Sequence, residues 1–273
     1  MLCRDPASLV EIRLDSVKVG RRIRLASVPD AFDLGLDSRD SRGAMAAIAS
    51  RQDGSIVLAS LTRGAVERTI AAGAEPTLVR FQPLDGKQLL VGSGPGRSVA
   101  IFDVASGKPV VRLQLPVAPR HFCFDTTEGQ LFVTGDGMDA VVIVFPYSTE
   151  VDQSVLAGRA PGAMAAIGPS AQYPKAPYYL LVANPETDGI TVLDVDTRRL
   201  VAVVQVGRGP IQILITTDRQ YALVLNERSG DLAVIRISSL AATPTGAPRR
   251  FTAPLFALIP VGEGPVSAAV VER

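Results

Sequence analysis

The chain has 273 residues, of which 47% are hydrophobic and 20% are charged, so it can build one large core or two ordinary ones and is not a disordered chain. Its 28 basic and 27 acidic side chains leave a net charge of +1, which excludes a molecule-wide positive field for nucleic acid or anionic membranes. With no Trp, one His and two Cys, the chain is poor in the side chains that most often bind metals and haem.

The first residues, MLCRDPASLV, lack the basic start, apolar stretch and small-residue cleavage site of a signal peptide. No apolar run in the sequence reaches the length of a membrane span. We therefore expect no membrane-spanning segment, and no signal peptide is visible in the chain.

A small-residue segment that ends in proline precedes an apolar run at six places. These prolines are Pro29, Pro76, Pro119, Pro161, Pro210 and Pro265, and their spacings are 47, 43, 42, 49 and 55 residues. A period of roughly 40 to 50 residues is that of a four-stranded propeller blade rather than of a helical repeat. The sequence therefore predicts an all-β repeat protein.

The strands follow one another in a fixed order from the N-terminus onward. Residues 1–26 read as the end of a second strand, then a third and a fourth strand, and residues 27–74 give four strands with a long first turn at 37–43. Residues 75–116 show the unit most clearly, as the runs TLVRFQP, QLLVGS, SVAIFDV and PVVRLQL. These runs are rich in Val, Ile, Leu and Phe, and the breaks between them in Gly, Asp, Pro and Ser.

The rest of the chain repeats this order. The further units are residues 117–158, 159–207 and 208–262, the last with an insertion at 241–254 before its final strand. Residues 263–273 read as a first strand with nothing after it, and we expect them to join residues 1–26 in one shared blade. Such a blade closes the ring and protects two sheet edges. The count is five complete blades plus one shared blade, hence a six-bladed β-propeller in a single domain spanning residues 1–273.

The shared blade has one defect, because only Met1 to Arg4 stand for its second strand. Either this blade has three strands, or sequence upstream of Met1 is missing. In the second case the parent protein has room for a seventh blade and for a signal peptide.

The repeat resembles that of YVTN-type β-propellers, which carry a YVTN-like second strand, a VxVID-like third strand and a VGxxP exit. The corresponding second strands here are LLVGS (89–93), LFVTG (131–135), LLVAN (180–184) and ALVLN (222–226), the third strands include VAIFDV (99–104) and ITVLDV (190–195), and the exits include VGRGP (206–210) and VGEGP (261–265). The likeness covers essentially the whole chain. It implies a propeller fold but leaves the activity open. It also implies a bacterial protein in the periplasm or secreted, in a family that shades into lactonase-like and haem-binding propellers.

In a propeller, the loops after strands two and four meet on one face around the central channel. Arg159 and Arg208 stand two residues before their prolines, and Arg120 directly follows its proline. Three guanidiniums near the channel mouth could bind a carboxylate or phosphate in bidentate fashion. The loops after strand two add three more ligand-binding candidates, namely Arg51, Arg97 and Arg228. The alternative is a solvated rim on which acidic and basic side chains neutralise each other.

Three residues are candidates for catalysis. His121 begins the strand RHFCFD and has the chemistry of a general base or metal ligand, and Asp136 and Glu186 are rim carboxylates that could complete a hydrolytic site. A lone His with no second His in the sequence favours instead an ordinary strand residue with a backbone partner. We therefore predict no metal site and no cofactor.

Two insertions leave the same pair of interpretations open. They are SAQYPKAPYY (170–179), with three Tyr and two Pro, and residues 241–254, which include Arg249, Arg250 and Phe251. Each is either an interaction patch or a tolerated surface insertion.

The function that fits best is a non-catalytic binding or scaffold propeller, monomeric, whose charged channel mouth and insertions meet a small anionic ligand or a protein partner. The alternative is a lactonase-like hydrolase acting at the channel mouth. One His and no Trp disfavour a haem or quinone redox protein, and the net charge near zero disfavours DNA binding.

Overall fold

The computed structural model describes residues 1–13, 15–16, 18–37, 40–73, 75–83, 85–148, 150–169, 174, 176–240 and 254–270. These residues form β-strands and one short 3-10 helix, Ile237–Ser239, and contain no α-helix. The strands make six sheets, five of four strands and one of three, with antiparallel neighbours. The prediction of an all-β chain built from six blade-like sheets is confirmed.

The chain divides into two compact units, residues 1–120 with 148–151, and residues 121–147 with 152–273. The sheets of the first unit are β1 (Leu2–Arg4), β2 (Ala7–Arg13) and β3 (Lys18–Arg24); β4 (Ala31–Asp37), β5 (Asp40–Ser50), β6 (Ser55–Ser60) and β7 (Ala65–Ala71); and β8 (Leu78–Phe81), β9 (Gln88–Ser93), β10 (Ser98–Asp103) and β11 (Pro109–Gln114). In each sheet, strands that are consecutive in sequence are neighbours.

The other three sheets lie in the second unit, apart from residues 118–120 and 150–151. They are β12 (Ala118–Phe124), β13 (Leu131–Asp136), β14 (Ala140–Phe145) and β15 (Glu150–Leu156); β16 (Met164–Ile167), β17 (Tyr179–Asn184), β18 (Gly189–Asp194) and β19 (Leu200–Gln205); and β20 (Pro210–Ile215), β21 (Tyr221–Asn226), β22 (Asp231–Arg236) and β23 (Leu255–Pro260). Their strand order is the same up-and-down order.

The middle strands of each blade carry the core. In β9 and β10 five of six residues are buried, whereas the outer strand β11 has no buried residue. Residues on both faces of these middle strands are buried, which explains their continuous apolar runs instead of strict alternation. In the first unit, for example, Met45 and Leu58 pack with Val79 and Leu89 of the next sheet. Each fully buried aliphatic side chain of this kind contributes roughly 1.5–3 kcal/mol.

The turns between third and fourth strands are held by an aspartate at the end of strand three. Asp103 Oδ1 accepts hydrogen bonds from the backbone N–H of Ser106 at 2.7 Å and from its hydroxyl at 2.5 Å. Asp194 Oδ1 does the same with Thr197, at 2.7 and 2.8 Å. These side-chain bonds replace part of the backbone pairing that a tight turn gives up.

The insertion at 170–179 supplies contacts within the second unit. The Tyr178 hydroxyl donates to the buried carboxylate of Asp125, in the turn that follows β12. Tyr179 is 8% exposed and packs in the core of the unit. Two of the three tyrosines in this insertion therefore serve internal packing, and Tyr173 lies outside the described residues.

The long first turn predicted at 37–43 is wrong. β5 begins at Asp40, and Asp37 pairs with Asp40, so the hairpin needs only two residues between the strands. The polar composition of this stretch suggested a loop, but Asp37 at the end of β4 offers a paired partner to Asp40.

Residues 265–270 form no strand, and the sheet β1–β3 has three strands, so the expected contribution of residues 263–273 to that sheet is not formed among the described residues. The segment instead bonds to the side chain of Gln212 in β20: Nε2 donates to the carbonyl of Ala268 at 3.1 Å, and the N–H of Ala268 donates to Oε1 at 2.8 Å. One proline and several small residues leave the segment little side-chain surface to pack. Ring closure by this segment stays a prediction, and residues 241–253 of the second insertion lie outside the described residues.

Candidate functional site

Four loops of the second unit carry four of the nine predicted site residues, and we call these loops the second-unit rim. They are residues 158–163, 185–188, 207–209 and 227–230, and they contain Arg159, Glu186, Arg208 and Arg228. Two of these loops follow a fourth strand and two follow a second strand. Backbone and side-chain bonds between them decide which of their charged groups face solvent.

Glycine and asparagine set the backbone of the rim at equivalent positions of two blades. A Cβ on Gly158 would lie 2.6 Å from Oδ1 of Asn184, and a Cβ on Gly207 would lie 2.6 Å from Nδ2 of Asn226. Both asparagines end a second strand and are buried, at 2% and 0% exposure. Asn184 Nδ2 donates to Thr191 Oγ1 at 2.9 Å. Glycine is therefore required at positions 158 and 207, because the asparagine at the end of the next blade's second strand fills the space that a side chain would occupy.

Asp188 is the hub of the rim. Its Oδ1 accepts from the backbone N–H of Gly209 at 2.8 Å and from the Arg228 guanidinium at 2.9 Å. Arg228 also donates to the carbonyl oxygen of Pro185. One carboxylate thus joins three loops, and the predicted ligand-binding candidate Arg228 is engaged inside the rim.

The two arginines at the repeated position before proline differ in their partners. Arg159 Nε lies 3.6 Å from Glu186 Oε2, and both side chains are more than half exposed, so this ion pair contributes little to stability. The backbone N–H of Arg208 donates to Ser229 Oγ at 2.8 Å. The Arg208 guanidinium forms no ion pair with any residue that the structure describes.

The three arginine candidates of the first unit lie on different elements of that unit. Arg120 is exposed in β12, at the end of that unit. The backbone N–H of Arg51 donates to Asp30 Oδ2 at 2.8 Å, and Arg97 donates to the carbonyl oxygen of Pro116. The side chain of Arg97 therefore forms a hydrogen bond within its own blade.

The catalytic candidates occupy three different elements. His121 is half-buried in β12, Asp136 is exposed at the end of β13, and Glu186 lies in the turn after β17, beside Arg159. Within the described ranges there is no group of three or more His, Cys, Asp and Glu side chains arranged to hold a metal ion. The same residues contain no helix long and apolar enough to cross a membrane.

The sequence did not single out Asp188, Asn184 or Asn226 as the residues that organise the rim. The only signal for the asparagines was their place at the end of LLVAN and ALVLN, next to an expected turn. The partners of Asp188 lie 21 and 40 residues away in sequence, so its role depends on the packing of neighbouring blades.

The structure is similar to that of Kuenenia stuttgartiensis hydrazine synthase, with a TM-score of 0.72 and 13% sequence identity, over 94% of this chain and 82% of that chain. The fold is that of a β-propeller. At this identity the likeness shows the fold alone. No protein-family profile and no curated protein sequence matches the chain.

Proposed function

We propose that this propeller is a non-catalytic binding protein of the YVTN-repeat type, which presents the second-unit rim to a small anionic ligand. The observation that supports this is the Asp188 hub. Because Asp188 fixes the loops that carry Gly209 and Arg228, the neighbouring Arg208 is displayed from a backbone that is already ordered. A preordered loop loses little conformational entropy when a ligand binds.

The charge of the ligand follows from Arg208. Its guanidinium is exposed and not neutralised by any described carboxylate, and its planar donor fork matches a carboxylate or phosphate. The other rim arginines, Arg159 and Arg228, already have carboxylate partners. Arg208 is therefore the residue on which the anion site depends.

A thermal-shift screen with carboxylates, sugar phosphates and lactones tests this proposal. A ligand that binds only the folded protein raises its melting temperature. We expect at least one anionic compound to raise the melting temperature of the wild type and of Arg199→Ala, but not of Arg208→Ala. Arg199 is a matched control because it is also an exposed arginine and lies in the turn at the other end of its blade.

A shift of equal size in Arg208→Ala, or no shift with any compound of the panel, would contradict the anion site. The lactonase-like alternative would need Glu186 as a reactive carboxylate. Glu186 instead forms an ion pair with Arg159, and His121 and Asp136 lie on other strands. Release of the hydroxy acid from a lactone of the panel would revive it.

We extend the proposal to location and assembly. The YVTN resemblance supports a periplasmic or secreted protein, and fractionation of cells that carry the native gene tests this. We expect the purified chain to be a monomer in light scattering.

A further inference from the structure

The outer strand β3 has a composition that no other outer strand of the described chain shares. Four of its seven residues are basic, namely Lys18, Arg21, Arg22 and Arg24, whereas β7, β11, β15, β19 and β23 each hold one basic residue or none. Arg13 adds a fifth, because it lies directly opposite Lys18 in the pairing of β2 with β3. All five side chains are exposed, so the first unit carries a concentrated positive charge along one sheet edge.

Four of these cations have no partner of opposite charge. We call them the basic edge, and they are Arg13, Lys18, Arg22 and Arg24. Their side chains form no ion pair and no hydrogen bond with any residue that the structure describes. The remaining cation, Arg21, is paired, since its Nε lies 3.8 Å from Glu11 Oε2.

The acidic residues of the same sheet do not neutralise the basic edge. Asp15, in the turn between β2 and β3, accepts hydrogen bonds from the backbone N–H and the hydroxyl of Ser16, at 2.7 and 3.1 Å. Asp5 belongs to the turn between β1 and β2, and Glu11 is the partner of Arg21. The residues of the sequence that lie outside the described ranges hold one acidic side chain, Glu272, against five basic ones. The charge of this edge is therefore matched by an anion from outside the chain rather than by the chain itself.

The arrangement of the basic edge places like charges side by side. Lys18 and Arg13 are directly opposite each other across two strands, and like charges in such a pair are destabilising. Arg22 and Arg24 lie on the same face of β3, about 7 Å apart along the strand. Their fields overlap at this spacing, because the Debye length at physiological salt is roughly 8 Å. An anionic surface would relieve both repulsions.

The edge fits a flat anionic surface better than a nucleic acid. β3 has one sheet neighbour, so among the described residues its other side is free, and side chains from both faces of the sheet can meet a plane that approaches edge-on. Val19 of β3 is 60% exposed and offers an apolar side chain to the interfacial layer of a bilayer. Residues 1–26 contain no aromatic side chain on which a nucleic acid base could stack. Lipid headgroups need no such platform, and each Lys or Arg near an anionic lipid surface adds to binding.

We propose that the basic edge docks the first unit on an anionic lipid surface. Attraction between its four cations and the lipid phosphates would supply most of the affinity, so binding should weaken as the ionic strength rises. The net charge of +1 does not reveal this edge, because it averages the edge with acidic residues elsewhere in the chain. The surface goes beyond the anion site of the rim and shares no residue with it.

Co-sedimentation with lipid vesicles tests the proposal. We expect the wild type to sediment at low salt with vesicles of equal parts phosphatidylcholine and phosphatidylglycerol, and to stay in solution with vesicles of phosphatidylcholine alone. Arg22→Gln with Arg24→Gln should lower the binding constant roughly thirtyfold, since each cation near the surface contributes about fivefold. The control, Lys108→Gln with Arg199→Gln, removes the same charge from exposed positions beside β11 and β19 and should keep the wild-type binding.

Because the side chains of Arg22 and Arg24 have no partner in the described structure, their replacement should leave the fold intact, and a thermal melt of each double variant checks this. Equal binding by the two double variants, or no binding of the folded wild type to the phosphatidylglycerol vesicles, overturns the proposal. A DNA duplex that binds the wild type more tightly than these vesicles, and is lost in Arg22→Gln with Arg24→Gln, would overturn the assignment to lipid. Arg208→Ala should sediment as the wild type does, which separates this proposal from the anion site.

Discussion

The glycine of the repeated Gly-Arg-x-Pro segments is explained by the side chains that surround it. Gly207 has no room for a side chain, because a Cβ there would lie 2.5 Å from Ser229 Oγ and 2.6 Å from Asn226 Nδ2, and would also meet the carboxylate of Asp231. Asn226 cannot easily withdraw, because it is fully buried and its Nδ2 donates to Asp231 at 2.7 Å. The glycine and the asparagine are therefore required together.

We expect Gly207→Ala to lower the free energy of unfolding by about 1–3 kcal/mol, the usual cost of an overpacked site. Urea denaturation followed by circular dichroism measures it. Gly94→Ala is the control, because the nearest atoms to a Cβ there are 3.8 Å away. A loss no larger in Gly207→Ala than in Gly94→Ala would show that the rim loop relaxes around the new methyl group.

Tyr178 links stability to alkaline pH. Burial, together with the hydrogen bond to Asp125, raises the pKa of Tyr178 to about 12 from its usual value of 10.0. The folded state thus holds this proton more tightly than the unfolded state, so the stabilisation is complete below pH 10 and is lost as the pH rises towards 12. We expect the melting temperature of the wild type to fall over this pH range more steeply than that of Tyr178→Phe. Parallel slopes in the wild type and Tyr178→Phe would contradict the assignment.

At the scale of the element, the aspartate at the end of strand three determines how firmly the outer strand is attached. Asp194 fixes the turn between β18 and β19 through two bonds to Thr197, and the outer strand β19 has only one sheet neighbour. We expect Asp194→Ala to increase the hydrogen-exchange rate of the Thr197 amide and of β19, while β17 keeps its protection. The net loss of stability should be about 0.5–1.5 kcal/mol per hydrogen bond removed.

The equivalent substitution Asp103→Ala should act in the same way on Ser106 and β11, and so serves as an internal replicate. The hydrogen bonds from the hydroxyl and the backbone N–H of Ser106 lower the pKa of Asp103. The bonds that stabilise this turn should accordingly be present above the ordinary pKa of an aspartate and weaken as the pH falls below it. Uniform loss of protection across the whole blade would contradict a local role for either aspartate.

The sequence was sufficient to place the strands because their signal is local. QLLVGS coincides with β9, and the runs up to β22 were recognised from apolar residues flanked by Gly, Asp and Ser. The start of β5 was missed because its polar residues have no strand signal of their own, and it is the pairing of Asp40 with Asp37 of β4 that places it in the sheet. The role of Asp188 and the contact of Tyr178 with Asp125 were also not predicted, since each joins residues from different blades. Such contacts depend on how sheets pack, which a single sequence does not encode in a short pattern.

At the scale of the whole molecule, the C-terminal segment is attached to the last four-stranded sheet. Residues 263–273 were predicted to close the ring as the first strand of the shared blade. The described part of this segment is held to β20 by the two hydrogen bonds between Gln212 and Ala268. A side-chain amide can take the place of a neighbouring strand in this way, because it offers one donor and one acceptor as a peptide group does.

Gln212→Leu tests whether this attachment stabilises the chain as a single cooperative domain. The leucine has a similar size but removes both hydrogen bonds to Ala268, so the C-terminal segment should separate from β20. If the chain folds as one closed propeller, calorimetry of the wild type gives one transition whose calorimetric and van't Hoff enthalpies agree. Gln212→Leu should then lower the temperature of that single transition, and a chain that ends at Gly262 should lower it by at least as much. Two separate transitions in the wild type would contradict the single domain. A melting temperature unchanged in both variants would show that the segment does not close the ring.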